Sequence, residues 1–171
     1  MTGRMLVAGV GNIFLGDDGF GAEVARRLAE AGLPDWVRVA DYGTSGMHLA
    51  YDMAEGYDTT VLVDAAPRDG TPGTVTVLEV APEHRRDLTA AGPLADSRLF
   101  DAHGMQPDMV LGVLDMLGAK AGRILVVCCE PAATGYRIGL SEPVAAAVDE
   151  AVRIVTGLVA AADAARQPID K

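Results

Sequence analysis

The sequence predicts a three-layer α/β/α sandwich, an α/β fold on a mostly parallel, twisted sheet of about five strands with one antiparallel edge strand. Three observations predict it. Apolar runs without a polar face recur at Arg4 to Val10, Thr59 to Ala66 and Arg123 to Cys129, the pattern of strands buried on both sides. Segments with helical apolar spacing separate them. A further run, Thr74 to Val80, alternates polar and apolar residues, as an antiparallel strand towards a sheet edge does.

The elements follow in order. Strand one (Arg4 to Val10) leads through Gly9-Val10-Gly11-Asn12-Ile13-Phe14-Leu15-Gly16-Asp17-Asp18-Gly19-Phe20-Gly21 into a helix to about Ala31, marked by the spacing of Phe20, Val24 and Leu28. Leu33-Pro34 ends that helix, and Trp36 to Tyr42 is a second strand. A tight loop at Gly43-Thr44-Ser45-Gly46 precedes a short helix from Met47 to about Gly56, with Met47, Tyr51 and Ala54 or Met53 on one face. Thr59 to Ala66 is the third strand, and it runs into the acid Asp64. The 67–73 connection is too short for a crossover helix. From 81 to 104 the chain is polar and aperiodic, the profile of a lid or binding loop. Gln106 to Leu117 is helical, with Met109, Val110, Val113, Leu114 and Leu117 on one face. After Arg123 to Cys129, Ser141 is an expected N-cap, with Pro143 in the first turn of a closing helix to about Ala165.

Composition narrows the class. With 171 residues, half of them hydrophobic, the chain reads as a single domain over 1–171 that buries on the order of 70% of its unfolded surface. Residues 166–171 read as a disordered tail. The net charge of −10 and the lack of a basic run argue against nucleic acid or an anionic membrane as partner. No stretch approaches the roughly 20 apolar residues of a membrane span. Met1-Thr2-Gly3-Arg4 leads into a strand rather than a signal-peptide core, so a cytoplasmic location is expected. The two cysteines, Cys128 and Cys129, point to opposite faces of one strand and form no disulfide with each other. With no histidine near them in sequence, they read as buried, inert thiols.

The glycine-rich turn after strand one admits two readings. Gly9-Val10-Gly11 and the acid Asp41 suggest a dinucleotide site and a Rossmann-like, nucleotide-dependent oxidoreductase. Against it, Phe14 stands where the third glycine belongs, and Asp17 and Asp18 precede a helix N-terminus where a phosphate needs bare N–H groups. The second reading is a metal-directed site. Ligands of parallel sheets bind beyond the strands' carboxyl ends, where Asp17 or Asp18, Asp41 and Asp64 collect. Asp17 is expected to cap the helix. Asp64 ends an apolar strand, where a carboxylate is costly unless paired or open to a cleft. Of the histidines, His84 sits among charges, His48 begins the second helix, and His103 ends the long loop and is the expected ligand. The ordinary protease signatures H-E-x-x-H and G-x-S-x-G are absent.

These residues resemble the [NiFe]-hydrogenase maturation endopeptidases. The matching pieces, in family order, are Gly9-Val10-Gly11-Asn12-Ile13 with Gly16-Asp17-Asp18-Gly19-Phe20-Gly21, then Asp41 to Met47, Leu62-Val63-Asp64-Ala65, His103, and Glu130-Pro131 with Ile138-Gly139-Leu140-Ser141. The resemblance implies a hydrolase that removes the C-terminal extension of a hydrogenase large-subunit precursor after nickel insertion. It implies Asp18, Asp64 and His103 as metal-contacting and catalytic residues, with nickel carried by the substrate. Asp41, Gly43, Thr44 and Gly46 match a segment implicated in substrate recognition. Asp18 stands where the family often has Glu. A non-enzymatic nickel-binding maturation factor using the same acids is the other alternative. Oligomeric state is not legible in the sequence.

Overall fold

The computed structural model describes residues 3–80, 110, 113–114 and 116–167. Its sheet has five strands: β1 (Met5–Val10), β2 (Val37–Gly43), β3 (Thr59–Ala65), β4 (Val75–Glu79) and β5 (Arg123–Cys129), in the order β2-β1-β3-β5-β4. β1 pairs in parallel with β2 and β3, and β3 with β5. β4 pairs antiparallel with β5 at one edge, as its alternation predicts. The short 66–74 connection lies over the end of β5, where Gly73 N–H donates to the Glu130 carbonyl at 2.8 Å and Glu130 N–H to Thr74 at 2.9 Å.

Strand alternation divides the interior into two layers. Met5, Val7, Val61, Val63, Leu125, Val127 and Cys129 face α1 (Phe20–Glu30) and the closing helix α3 (Glu142–Arg166). Leu6, Ala8, Val10, Leu62, Ile124, Val126 and Cys128 face α2 (Gly46–Ala54) together with Val110 and Leu114, and residues 110, 113, 114 and 116 are helical. The cysteines therefore lie on opposite faces, unpaired with each other. Burial pushes their thiols up, Cys128 to about 11 and Cys129 to about 12, which removes them as nucleophiles at neutral pH.

Two expected helix faces differ. On α2 the buried apolar side chains are Leu49, Ala50 and Met53, while Met47 and Tyr51 are exposed. Both stripes have helical spacing, and the one that wins starts where Ser45 accepts from His48 N–H at 3.3 Å and so begins the helix at Gly46. Leu117 lies in the turn after its helix and is exposed, because the chain leaves the sheet face there to enter β5. α3 continues through Arg166, whose guanidinium lies 4.6 Å from the Trp36 ring centre. The 81–104 loop, the 106–109 start of the following helix and residues 168–171 lie outside the described residues. Among the described residues no helix is long and apolar enough to cross a membrane.

β1 connects leftward through α1 to β2, and β2 returns through α2 on the opposite face to β3. The carboxyl ends of β1 and β3 are thus the point where the winding direction reverses, the place where open α/β sheets bind ligands.

Candidate active site

Beyond β1 the chain must turn sharply to start a helix against the same sheet. Gly11 adopts a φ of 122°, a region that only glycine enters without strain. A Cβ there would overlap the Asp18 carbonyl oxygen. Gly21 plays the second role: a Cβ would overlap Val63 O and Val10 O, so its absence lets α1 sit down on β1 and β3. Between them a single 3-10 turn, Gly16–Gly19, carries both acids. Gly11→Ala is expected to lose at least ~2 kcal/mol of stability, from the forced φ and the overlap together. A urea titration showing an unchanged midpoint would contradict this account of the turn.

Asp18 and Asp64 are buried, at 4% and 3% exposure. Asp18 accepts the Asn12 N–H at 2.7 Å, which folds the loop back onto its own acid. Asp64 accepts the N–H of Ala65 at 2.8 Å. Burial holds the Asp64 carboxyl well above the usual carboxylate range, and the charge of Asp18 adds to the effect, opposed by that N–H. Neighbouring strands thus bring together two acids whose electrostatics disfavour double ionisation.

Asp17 is not the expected helix cap. Gly19 occupies the N-cap of α1 and no side chain caps it. The fully buried Asp17 carboxylate instead accepts from Ala132 N–H (2.8 Å), Ala133 N–H (2.9 Å), Ser141 N–H (2.6 Å) and Ser141 Oγ–H (2.8 Å). Burial pushes this carboxyl up, and the hydrogen bonds from Ala133, Ser141 and Ala132 outweigh it, leaving it below its ordinary value. Ser141 holds the N-cap position of α3 as expected, but its hydroxyl serves Asp17 and makes no cap bond. The loop bearing Asp18 is thereby fastened to the 132–141 segment. Asp17 was legible as an acid in a glycine-rich turn, but its partners lie 115 to 124 residues away and leave no local signal.

The other expected residues spread around this centre. Asp41 is exposed on β2, in register with Gly9, and accepts the Gly43 N–H at 2.9 Å. Gly43, with φ of 56°, and Thr44 lead into α2 at Gly46, and Gly43 O accepts the Gly11 N–H at 2.8 Å. This segment is therefore bonded to the turn that leads to Asp18. Behind it, Tyr42 O–H donates to Asp52 at 2.6 Å, and Arg38 pairs with the same carboxylate oxygen at 2.9 Å. His48 is mostly exposed, with its ring edge-on to Tyr42. His84 and His103 lie outside the described residues. Among the described residues no three metal-binding side chains converge. Glu130 also belongs here by position: buried at the end of β5, it accepts the Arg68 N–H at 2.8 Å and holds the 66–73 connection. Its place after an apolar strand was the available signal. A cleft of about 730 Å³ opens beside the acid loop, with Ile13, Gly16, Glu23, Arg26, Asp41 and Ile138 in its walls.

Residues 22–158 match the hydrogenase maturation protease family, HycI. The chain belongs to that family. A chain of Methanocaldococcus jannaschii named for the same family is 35% identical over 157 residues, 90% of this chain and 94% of that one. The Escherichia coli hydrogenase 2 maturation protease is 32% identical over 154 residues, covering 89% and 88%. The solved structure of the E. coli hydrogenase-maturating endopeptidase HybD aligns over 91% of each chain at 31% identity, with a TM-score of 0.73. As a hydrogenase maturation protease the chain is a hydrolase of the endopeptidase class, on the mixed five-stranded fold of that family.

Proposed function

We propose that the protein removes the C-terminal extension of a [NiFe]-hydrogenase large-subunit precursor once nickel has been inserted, with the nickel read as part of the substrate. The observation that carries this is the Asp18–Asp64 pair: two buried, electrostatically coupled carboxylates at neighbouring strand ends. A cation supplied with the substrate offsets the repulsion that burial imposes on them. Two carboxylates with the imidazole of His103 make a donor set suited to Ni²⁺ and leave positions for substrate groups. The chemistry such a metal supplies is Lewis acidity at the scissile carbonyl or an attacking water. The chain's own part is positional and protonic. Asp18 is held by Asn12 N–H, and Asp64, whose carboxyl keeps its proton more tightly than an exposed acid does, is placed to hold or release one during cleavage.

The protein works in this reading where its partner, the precursor, is made, in the cytoplasm. The dinucleotide alternative draws no support from the turn, where the buried Asp17 and Asp18 stand just before a helix N-terminus that a pyrophosphate needs free of negative charge. The deciding experiment is intact-mass analysis of nickel-loaded and nickel-free precursor after incubation with the protein. Trimming is expected only of the loaded form. Equal trimming of both would remove nickel recognition, and binding without any mass change would favour a non-enzymatic maturation factor. His103→Ala is expected to abolish trimming while leaving the melting temperature unchanged, and full activity in that variant would take His103 out of the site.

A further inference from the structure

We infer that the strip formed by Ile13, Phe14, Tyr136, Arg137 and Ile138 is a docking surface for the polypeptide to be cut, and that it takes an apolar segment of that polypeptide bearing a carboxylate. The inference rests on the endopeptidase reading above and goes beyond it in naming where and by what chemistry the substrate chain is held.

The strip is a minimal ribbon, two short segments joined at one isolated bridge outside the main sheet. Leu15 pairs in parallel with Arg137; Gly16 N–H donates to Arg137 O at 2.8 Å and Arg137 N–H to Phe14 O at 2.9 Å. The residues beside the bridge, Phe14 on one segment and Tyr136 and Ile138 on the other, are open to solvent. They are 58%, 96% and 76% exposed, and Ile13 adds 47%. A scattered exposed apolar residue is ordinary, but four on one short ribbon are a patch. The ribbon is also held fast, because Asp17 beneath it takes four hydrogen bonds from the 132–141 segment. Aromatic side chains on a fixed backbone lose little conformational freedom on binding and are the usual anchors of an interface.

Two further observations select the occupant. The strip is continuous with the acids: Phe14 N–H donates to Asn12 Oδ1 at 2.9 Å, and Asn12 N–H donates to Asp18 at 2.7 Å. The strip and the Asp18 carboxylate thus belong to one hydrogen-bonded loop. The charge at its centre is positive. Arg4, Arg26, Arg27, Arg38 and Arg123 all meet carboxylates, whereas the exposed Arg137, like Arg68 and Arg153 elsewhere on the surface, forms no ion pair among the described residues. A cation in that position, flanked by Tyr136 and Ile138, selects an apolar segment with a carboxylate. A second copy of this chain would bring its own charge of −10 against an equal charge, which disfavours self-association.

The test uses the full chain and nickel-loaded precursor. Binding is read by fluorescence anisotropy of the labelled precursor and cleavage by intact mass, for the wild type, Phe14→Ser/Tyr136→Ser and Arg137→Glu. Both variants are expected to weaken binding and raise KM by about tenfold or more, with kcat and the melting temperature near the wild-type values. Photo-crosslinking from benzoylphenylalanine at position 136 is expected to mark one precursor segment. Changing an acid of that segment to lysine is expected to restore binding to Arg137→Glu. Wild-type affinity and KM in both variants would overturn the inference. So would a change from dimer to monomer in sedimentation, which would make the strip a self-contact. A wild type that binds but does not cut would overturn the endopeptidase reading and leave the docking surface standing.

Discussion

Asp64→Asn is expected to abolish precursor processing and to make the protein more stable. Both effects come from one cause. The Asp64 carboxyl is raised well above its ordinary value by burial and then by the charge of Asp18, so the native state resists an ionisation that the unfolded chain accepts freely. A folded-state value above the unfolded one stabilises only below the unfolded value of about 3.9, and that contribution is lost as pH rises through the folded value. The neutral amide removes this loss while its oxygen still accepts the Ala65 N–H that Asp64 takes at 2.8 Å. Thermal melts are therefore expected to place the variant above the wild type at pH 7.5, by roughly 2–4 °C for each kcal/mol recovered in a chain of this size. The two curves should converge near pH 3.5. Processing is expected to fall on the order of 10³-fold, the scale of removing a positioned acid–base group. A variant less stable than the wild type at pH 7.5 would show that the Asp64 charge is compensated in the free protein. Full processing would take Asp64 out of the chemistry.

The same acid shows what made a candidate site visible in the sequence. A carboxylate at the end of the apolar run Thr59 to Ala65 breaks the local pattern, and local rules fail at functional sites more than elsewhere. The strands were legible for a similar reason: burial on both faces leaves continuous apolar runs, and burial on one face leaves the alternation of Thr74 to Val80. Helix α2 marks the limit. Met47 and Tyr51 share a face as well as Leu49 and Met53 do, and only the sheet, which receives Leu49 and Met53, decides between them. The Phe14–Arg137 ribbon and the Asp17 bonds are harder still. They join segments more than a hundred residues apart through backbone groups, and a backbone N–H carries no sequence signature.

Asp17→Ala is expected to be the most destabilising substitution in the site, and to act with the opposite pH sign from Asp64→Asn. The Asp17 carboxylate is the acceptor for Ala132, Ala133 and Ser141 N–H and for the Ser141 hydroxyl. Removing it leaves donors without their acceptor around a site that was fully closed to solvent, which costs about 3–5 kcal/mol, because a buried N–H left unsatisfied loses its whole desolvation penalty. Burial raises the Asp17 carboxyl, but its donors hold it below the ordinary value. Its stabilising contribution is therefore present above the unfolded value of about 3.9 and fades as pH falls towards the folded value. Urea titrations are expected to show the wild type losing part of its advantage over Asp17→Ala between pH 4.5 and pH 3, while the gap stays constant from pH 5 to pH 8. Asp17→Asn should fall between the two, since its amide oxygen keeps some of the donors and its NH₂ faces the rest. Loss of processing should accompany loss of stability, because this carboxylate, with the Leu15–Arg137 pairing and the Asp17 N–H bond to Ala133 O, fastens the loop that presents Asp18 and Phe14. A variant with wild-type stability would mean that water replaces the carboxylate at no cost. A variant that is unstable yet fully active on a precursor at low temperature would separate the anchor from the chemistry and confine Asp17 to folding.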